Sequence, residues 1–275
     1  MTTDKNFDLA VVIPTFNRKE ITLGCVKRLL ASSIRTAIFV VDSGSTDGTV
    51  EAVAAVSGVR LLNAGPDAWW SEAVNLGIRS ALNQGFKAIL LMNDDIDFEV
   101  SLIEKLVDKH NEFPTALITP LQLTPSGPFL GLKYVGVMRR PELITTVSTD
   151  ANVDSSNGCC LLVPSEVFKA VGLIDDKKCP HLYGDNEFQL RAGQRGYFTL
   201  GCPTISIRQL DATDHYSRVR AYSMFYFKGS PLKTSAYWRF GSTLFGGWYL
   251  FLPLGLFYHY GYLKSILRTI WRSPF

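Results

Sequence analysis

The chain has little cysteine for its length and no cysteine pair in the spacing of a metal site. Its 275 residues include five cysteines, and none of them form a C-x-x-C pair. An odd number without that spacing argues against a disulfide framework or structural zinc and fits a reducing compartment. The first ten residues, MTTDKNFDLA, also lack a basic stretch followed by an apolar run, so we expect no signal peptide. Both absences predict that the main part of the chain is cytoplasmic.

Acidic residues are absent from 216–275, where eight Lys or Arg occur. Subtracting these eight from the 28 basic residues, against 25 acidic ones, leaves 1–215 with a net charge of −5. Residues 240–263 carry no formal charge, are rich in Trp and Tyr, and are interrupted by glycines and a proline. A basic, aromatic extension of this kind is typical of a segment lying in an anionic membrane interface. The alternatives are a helical hairpin packed on the main domain or in a homo-oligomer interface, and a membrane span.

The first part of the chain alternates apolar runs with amphipathic stretches, which is typical of βα units around a mainly parallel sheet. The predicted strands are 9–13, closed by Pro14, then 37–41, 59–62 and 88–92, and the predicted helices between them are 19–30, 47–56 and 71–82. The pattern then loosens. It predicts helices at 100–110, 165–171 and 185–195 and short strands at 116–120, 133–138 and 158–163. The expected class is α/β, in one domain over 1–215 with a helical extension over 216–275.

An acidic cluster, Asn93-Asp94-Asp95-Ile96-Asp97, follows the apolar run of the fourth predicted strand. Grouped carboxylates repel one another unless a cation or hydrogen-bond donors compensate. Oxygen ligands suit Mg²⁺ or Mn²⁺, and Mg²⁺ is often held by one or two carboxylates and a substrate phosphate. The alternative from the cluster alone is an acidic turn that caps a helix beginning near Phe98, with Asp97 as its cap.

Polar turns follow all four predicted strands, and open α/β sheets bind ligands at this edge. These turns begin at Pro14, Asp42, Asn63 and Asn93. For Asp42 the structural alternative is an Asx turn. Four such turns on one edge predict a site of nucleotide size.

The segments VVIPTFNR, VVDSGSTDGT, LLMNDDIDF and YGDNEFQLRAGQRGY resemble, in order, the motifs of family 2 glycosyltransferases with the GT-A fold. The segment WWSEAVNLGIRSAL is similar to the variant found in rhamnosyltransferase-like bacterial members. The resemblance implies a GT-A fold and inverting transfer of a sugar from a nucleotide-diphosphate donor, a dTDP- or UDP-sugar, with dTDP-rhamnose one candidate. It also implies a divalent cation, Mg²⁺ or Mn²⁺, and a glycan or lipid-linked acceptor in cell-surface polysaccharide synthesis.

The resemblance also implies roles for individual residues. Asp42 would read the pyrimidine base, and Thr15 and Arg18 would border the base and diphosphate. Asp95 would ligate the metal, while Asn93 would bond the ribose or a metal-bound water. Asn93 stands where the family has its first DxD carboxylate.

Two further roles fall in the second half of the chain. Asp185 matches the first acidic position of the family's ED-type motif and would be the general base, although Gly184 replaces the acidic residue often found before it. Its structural alternative is a helix cap. Glu187 is expected to orient the site or to pair with Arg191, and His215 would complete the metal site or contact the diphosphate.

Two other functions are alternatives to sugar transfer. A nucleotidyltransferase usually has a glycine-rich phosphate loop, which PTFNR lacks. A non-catalytic membrane scaffold would not need Asp42, Asp95 and Asp185. The expected setting is peripheral association with the inner face of the cell membrane, with no nucleic-acid partner.

Overall fold

The computed structural model describes residues 8–210, except 138 and 146, and residues 234–245. The strands are β1 (Leu9–Thr15), β2 (Ala37–Asp42), β3 (Val59–Asn63), β4 (Ala88–Met92), β5 (Ile96–Phe98), β6 (Leu117–Thr124), β7 (Gly127–Phe129), β8 (Gly131–Val135), β9 (Arg140–Ile144), β10 (Ala151–Val153), β11 (Cys160–Pro164) and β12 (Thr199–Gln209). The helices are α1 (Lys19–Leu30), α2 (Thr49–Ala54), α3 (Trp70–Asn83), α4 (Leu102–Glu112), α5 (Ser165–Val171), α6 (Gly184–Gln194) and α7 (Thr234–Leu244).

Within these residues a ten-stranded sheet has the central order β10-β12-β6-β11-β4-β1-β2-β3. β4, β1, β2 and β3 are parallel, and β11 is antiparallel to β4. Helices cover both faces, and the α/β class predicted from the sequence is confirmed. Alternation on β1 explains the layering, since Leu9, Val11 and Ile13 pack on one face while Ala10 and Val12 pack on the other. A strand buried on both faces reads as a continuous apolar run.

Two local predictions were wrong. The predicted end of the first strand at Pro14 is one, because β1 continues to Thr15 and Pro14 pairs with Val41. Pairing with β4 ends at Val12, so no ladder donor is needed from Pro14 on that side. The alternative that Asp97 caps a helix is also wrong. Asp97 lies in β5, which pairs with β12, and its carboxylate forms an ion pair with Arg28 at 2.7 Å. Helix α4 begins later, at Leu102, because the residues of β5 form a strand with the distant β12.

Helix α7 packs on the α/β domain although it lies beyond residue 215. Its Phe240 and Leu244, followed by Phe245, form a small apolar cluster with Tyr134. Residues 211–233 and 246–275 lie outside the description, so the boundary at 215 stays a prediction. Within the described ranges no helix is long and apolar enough to cross a membrane.

Candidate active site

The carboxyl ends of β1, β2 and β4 bring the predicted donor-site residues to one edge of the sheet. Thr15 pairs in register with Asp42, and the Ser43 N–H donates to the Thr15 carbonyl at 3.0 Å. Residues 93–95 follow β4 directly. The parallel topology therefore assembles a single site from three separate turns.

Asp42 forms an Asx turn and keeps one oxygen unused. Its Oδ2 accepts the N–H groups of Gly44 at 2.8 Å and Ser45 at 3.0 Å. Its Oδ1 is buried and has no hydrogen-bond partner among the described residues. A buried acceptor without a donor is costly unless a ligand supplies one. The Asx turn therefore uses Oδ2, and the predicted contact with the nucleotide base would use Oδ1.

Asp94 anchors the acidic cluster to the first loop. The hydroxyl of Thr22 donates to its Oδ2 at 2.8 Å, and Thr15 lies 3.3 Å from the same oxygen. Arg18 Nη1 contacts Asp94 Oδ1 at 2.9 Å. Burial raises the pKa of the Asp94 carboxyl, against the opposing effect of the Arg18 charge. With both oxygens used inside the protein, Asp94 is a structural residue of the site.

Asp95 differs from its neighbour because one of its oxygens is unused. Arg18 Nη1 lies 2.9 Å from Asp95 Oδ2, whereas Oδ1 is buried and, within the described part of the chain, has no hydrogen-bond partner. A single carboxylate oxygen suits a divalent cation that takes its remaining ligands from a diphosphate and water. The residues therefore fit the implied metal. Among the described residues no three His, Cys, Asp or Glu side chains are grouped around a metal position, and His215 lies outside them.

Asn93 connects the donor side of the site to helix α3. The indole N–H of Trp70 donates to Asn93 Oδ1 at 3.0 Å, and the Asn93 N–H donates to the Cys159 carbonyl at 2.9 Å. The sequence did not predict this hydrogen bond between the indole and the amide. It fixes the amide orientation and leaves the Asn93 NH₂ group directed away from the indole.

Asp185 lies in the first turn of α6 and faces the turn that precedes β11, the strand beside β4. Its Oδ2 accepts the Gly158 N–H at 2.6 Å, and its Oδ1 accepts the Asn186 N–H at 2.8 Å. Part of the residue remains open to solvent, yet burial raises its pKa, with the two N–H donors opposing that rise. A carboxyl with a raised pKa that an acceptor can reach has the properties of a general base.

Two functional residues were not found from the sequence. A Cβ on Gly158 would lie 2.8 Å from the Asp185 Cβ and 3.0 Å from Trp70 Cη2, so only glycine permits this close approach. His181 lies just before α6, and burial together with the Arg18 charge lowers its pKa to about 4. Its imidazole is therefore neutral at physiological pH. The segment CPHLYGD places His181 near the ED-type motif, which was the available signal.

Six of the predicted site residues thus lie on one connected network. Thr15 pairs with Asp42 across β1 and β2 and contacts Asp94, and Arg18 pairs with both Asp94 and Asp95. The Asn93 N–H donates to the Cys159 carbonyl, and the N–H of the preceding residue, Gly158, donates to Asp185. The network connects the Asp42 and Asp95 carboxylates, each with one buried oxygen that has no hydrogen-bond partner among the described residues, to the Asp185 carboxyl, whose pKa is raised by burial.

Residues 10–172 match the family model named Glycosyl transferase family 2. This match covers more than half of the chain, and the chain belongs to that family. The sheet order and the helical layers agree with the GT-A fold.

Two curated relatives are similar to this chain, both named N-acetylglucosaminyl-diphospho-decaprenol L-rhamnosyltransferase, from two strains of Mycobacterium tuberculosis. Each is 25% identical over 212 residues, covering 65% of this chain and 67% of the relative. Among solved structures, the crystal structure of GalNAc-T7 with UDP, GalNAc and Mn²⁺ superposes with a TM-score of 0.63 at 14% identity. That likeness covers 77% of this chain and 45% of the other and supports the fold alone.

Proposed function

We propose that the protein is an inverting, divalent-metal-dependent glycosyltransferase. Its donor is a nucleotide-diphosphate sugar, dTDP- or UDP-linked, with dTDP-rhamnose the first candidate because the curated relatives are named as rhamnosyltransferases. Its acceptor is a glycan or lipid-linked saccharide in cell-surface polysaccharide synthesis. The proposal rests on two buried carboxylate oxygens at one edge of the sheet, Asp42 Oδ1 and Asp95 Oδ1, for which the described ranges contain no hydrogen-bond partner.

Asp42 Oδ1 accepts the imide N–H of uracil or thymine in this proposal. The Asx turn made by Oδ2 holds the carboxylate in place, so the second oxygen is presented in a fixed direction. A hydrogen bond to a charged acceptor contributes about 1.5–3 kcal/mol, and an unmade one in a buried site is costly. Cytosine has no imide N–H, so this hydrogen bond would favour UDP or dTDP over a cytidine nucleotide.

Asp95 would hold Mg²⁺ or Mn²⁺ through Oδ1, with Asn93 beside it on the ribose. When bound, the cation would stabilise the negative charge that develops on the departing diphosphate. Arg18, already on Asp95 Oδ2, keeps the carboxylate from turning and adds positive charge at the diphosphate end of the site. His215 is proposed as a further ligand.

Asp185 acts as the base. As the acceptor hydroxyl oxygen bonds to the sugar C1, its proton passes to the Asp185 carboxylate, and the C1–O bond to the diphosphate breaks on the opposite face. The configuration at C1 inverts in this single displacement. The raised pKa of Asp185 brings its proton affinity closer to that needed for general-base catalysis.

A thermal-shift screen of UDP- and dTDP-sugars, with and without Mn²⁺, tests this proposal. A donor that binds raises the melting temperature by mass action. We expect stabilisation that requires Mn²⁺ in the wild type and is lost in Asp95→Ala, while Asp97→Ala, which changes a half-exposed neighbour paired with Arg28, keeps it. Equal stabilisation of the wild type and Asp95→Ala would refute the metal assignment.

We also propose that the basic extension holds the enzyme on the cytoplasmic face of an anionic membrane. The charge asymmetry between 1–215 and 216–275 supports this. Because α7 packs on the domain, the informative truncation removes 246–275 and keeps α7. That truncation removes most of the apolar, aromatic run and three of the eight basic residues, so it should weaken binding to phosphatidylglycerol vesicles and leave donor binding intact. Unchanged vesicle binding would refute the proposal.

A further inference from the structure

Helix α7 contacts α6 on both sides of Asp185. Before the helix, the Tyr183 ring stacks on Phe240 with centroids 4.9 Å apart and planes at 22°. After Asp185, the Glu187 carboxylate lies 2.9 Å from Arg239 Nε. The proposed base therefore lies between two residues that α7 contacts directly.

Glu187 is a fully buried charge, and α7 supplies part of its compensation. Arg191 Nε lies 2.9 Å from both carboxylate oxygens, and the Thr243 hydroxyl donates to Oε1 at 3.0 Å. The Arg239 contact is an ion pair whose N–H is not aligned as a hydrogen bond. A buried carboxylate is stable only when it is paired and hydrogen-bonded. Two of its three partners come from α7.

Arg239 also contacts the segment that precedes α6. Arg239 Nε lies 3.1 Å from Asp175 Oδ2, and the backbone carbonyl of Ala236 contacts Cys179 Sγ at 3.8 Å. At the far end, the Gln194 side chain donates to the Thr243 carbonyl at 2.6 Å. α7 thus runs along α6 from the preceding segment to its last turn.

Tyr183 adds a reason why this support is needed. It adopts a left-handed backbone conformation, with φ of 64°, although it is not a glycine. Such a conformation costs about 1–3 kcal/mol and persists where surrounding contacts determine it. The Phe240 stack is one of those contacts, and the turn it stabilises sets the direction in which α6 starts.

We propose that Arg239 is a positioning residue for the catalytic helix and that α7 belongs to the catalytic unit. Arg239 holds Glu187 and Asp175 together, which fixes the first turn of α6 and keeps Asp185 against the Gly158 N–H. The inference rests on the proposed role of Asp185 as the base.

The test compares Arg239→Met with Arg79→Met, which makes the same change at an exposed position of α3. The readouts are kcat for transfer from the donor found in the screen, the Kd of UDP or dTDP with Mn²⁺, and hydrogen exchange of residues 183–190. For Arg239→Met we expect kcat to fall about 10- to 100-fold, as for a base misplaced by about 1 Å. Nucleotide Kd should stay within about threefold of the wild type, and exchange of 183–190 should rise about tenfold. Arg79→Met should match the wild type.

Arg239→Lys restores the charge without the planar guanidinium and should recover most of the lost kcat and of the protection. If the Met variant does not fold, Arg239→Gln, which also removes the charge, takes its place with the same expected losses. Unchanged kcat and exchange in a folded Arg239→Met or Arg239→Gln enzyme would overturn the inference, as would a loss confined to nucleotide binding. Asp185→Asn, measured alongside, separates the two ideas. Full turnover in that variant would refute the base assignment, whereas increased exchange in Arg239→Met would still support the positioning of α6.

Discussion

A methyl group at residue 158 would test how closely the proposed base is held. In Gly158→Ala the new Cβ would lie 2.8 Å from the Asp185 Cβ and 3.1 Å from its Oδ2. Carbon atoms pack best at about 3.5–4.0 Å, so Asp185 must move by roughly 1 Å. Misplacement on that scale costs about 100-fold in rate. Crowding of the buried site should also lower the free energy of unfolding by about 1–3 kcal/mol.

The matched control is Gly193→Ala, in the same helix as Asp185. A Cβ there meets nothing within 4 Å, so that variant should keep its kcat and gain up to about 1 kcal/mol from helix propensity. The assay is kcat for sugar transfer together with nucleotide Kd and the urea unfolding midpoint. A Gly158→Ala enzyme with kcat within about twofold of the wild type would refute the geometry.

Three further predictions follow from other parts of the fold. Gly77→Ala would place a Cβ against Val12 Cγ1, so urea unfolding should show a loss of about 1–3 kcal/mol, and wild-type stability would contradict the packing of α3 on β1. Asp42→Asn keeps an oxygen for the Asx turn but loses the charged acceptor. Calorimetry should therefore show UDP binding weakened about tenfold or more, and unchanged binding would exclude base reading by Asp42. Because burial raises the pKa of Asp185 and the base acts when ionised, kcat should fall as the pH drops through that raised pKa. A pH profile that is flat through the acidic range would contradict this.

The sequence predicted the parallel part of the fold closely because its signals are local. Helix α1 and strand β4 begin and end where periodicity places them, since buried runs and amphipathic faces are read over a few residues. Strand β12, eleven residues long, was not predicted. It pairs with β6, β5 and β10, and these long-range partners leave no local pattern.

The candidate site shows the same division. The motifs indicated which residues to consider, and the sheet edge explains why Thr15 and Asp42 meet. Which oxygen of Asp42 or Asp95 is unused depends on partners from other elements, such as Arg18, and no spacing rule contains that information. The support of α6 by α7 was equally hidden, because Arg239 and Glu187 are far apart in sequence.

The central claim is that Asp185 removes the proton from the acceptor hydroxyl. Asp185→Asn keeps the size of the side chain and an oxygen that can accept the Gly158 N–H, so donor binding and folding should be preserved. The decisive measurement is single-turnover transfer by this variant with the donor and metal bound. The account predicts a nucleotide Kd like that of the wild type and a transfer rate lowered about 100-fold or more. Transfer at the wild-type rate would contradict it.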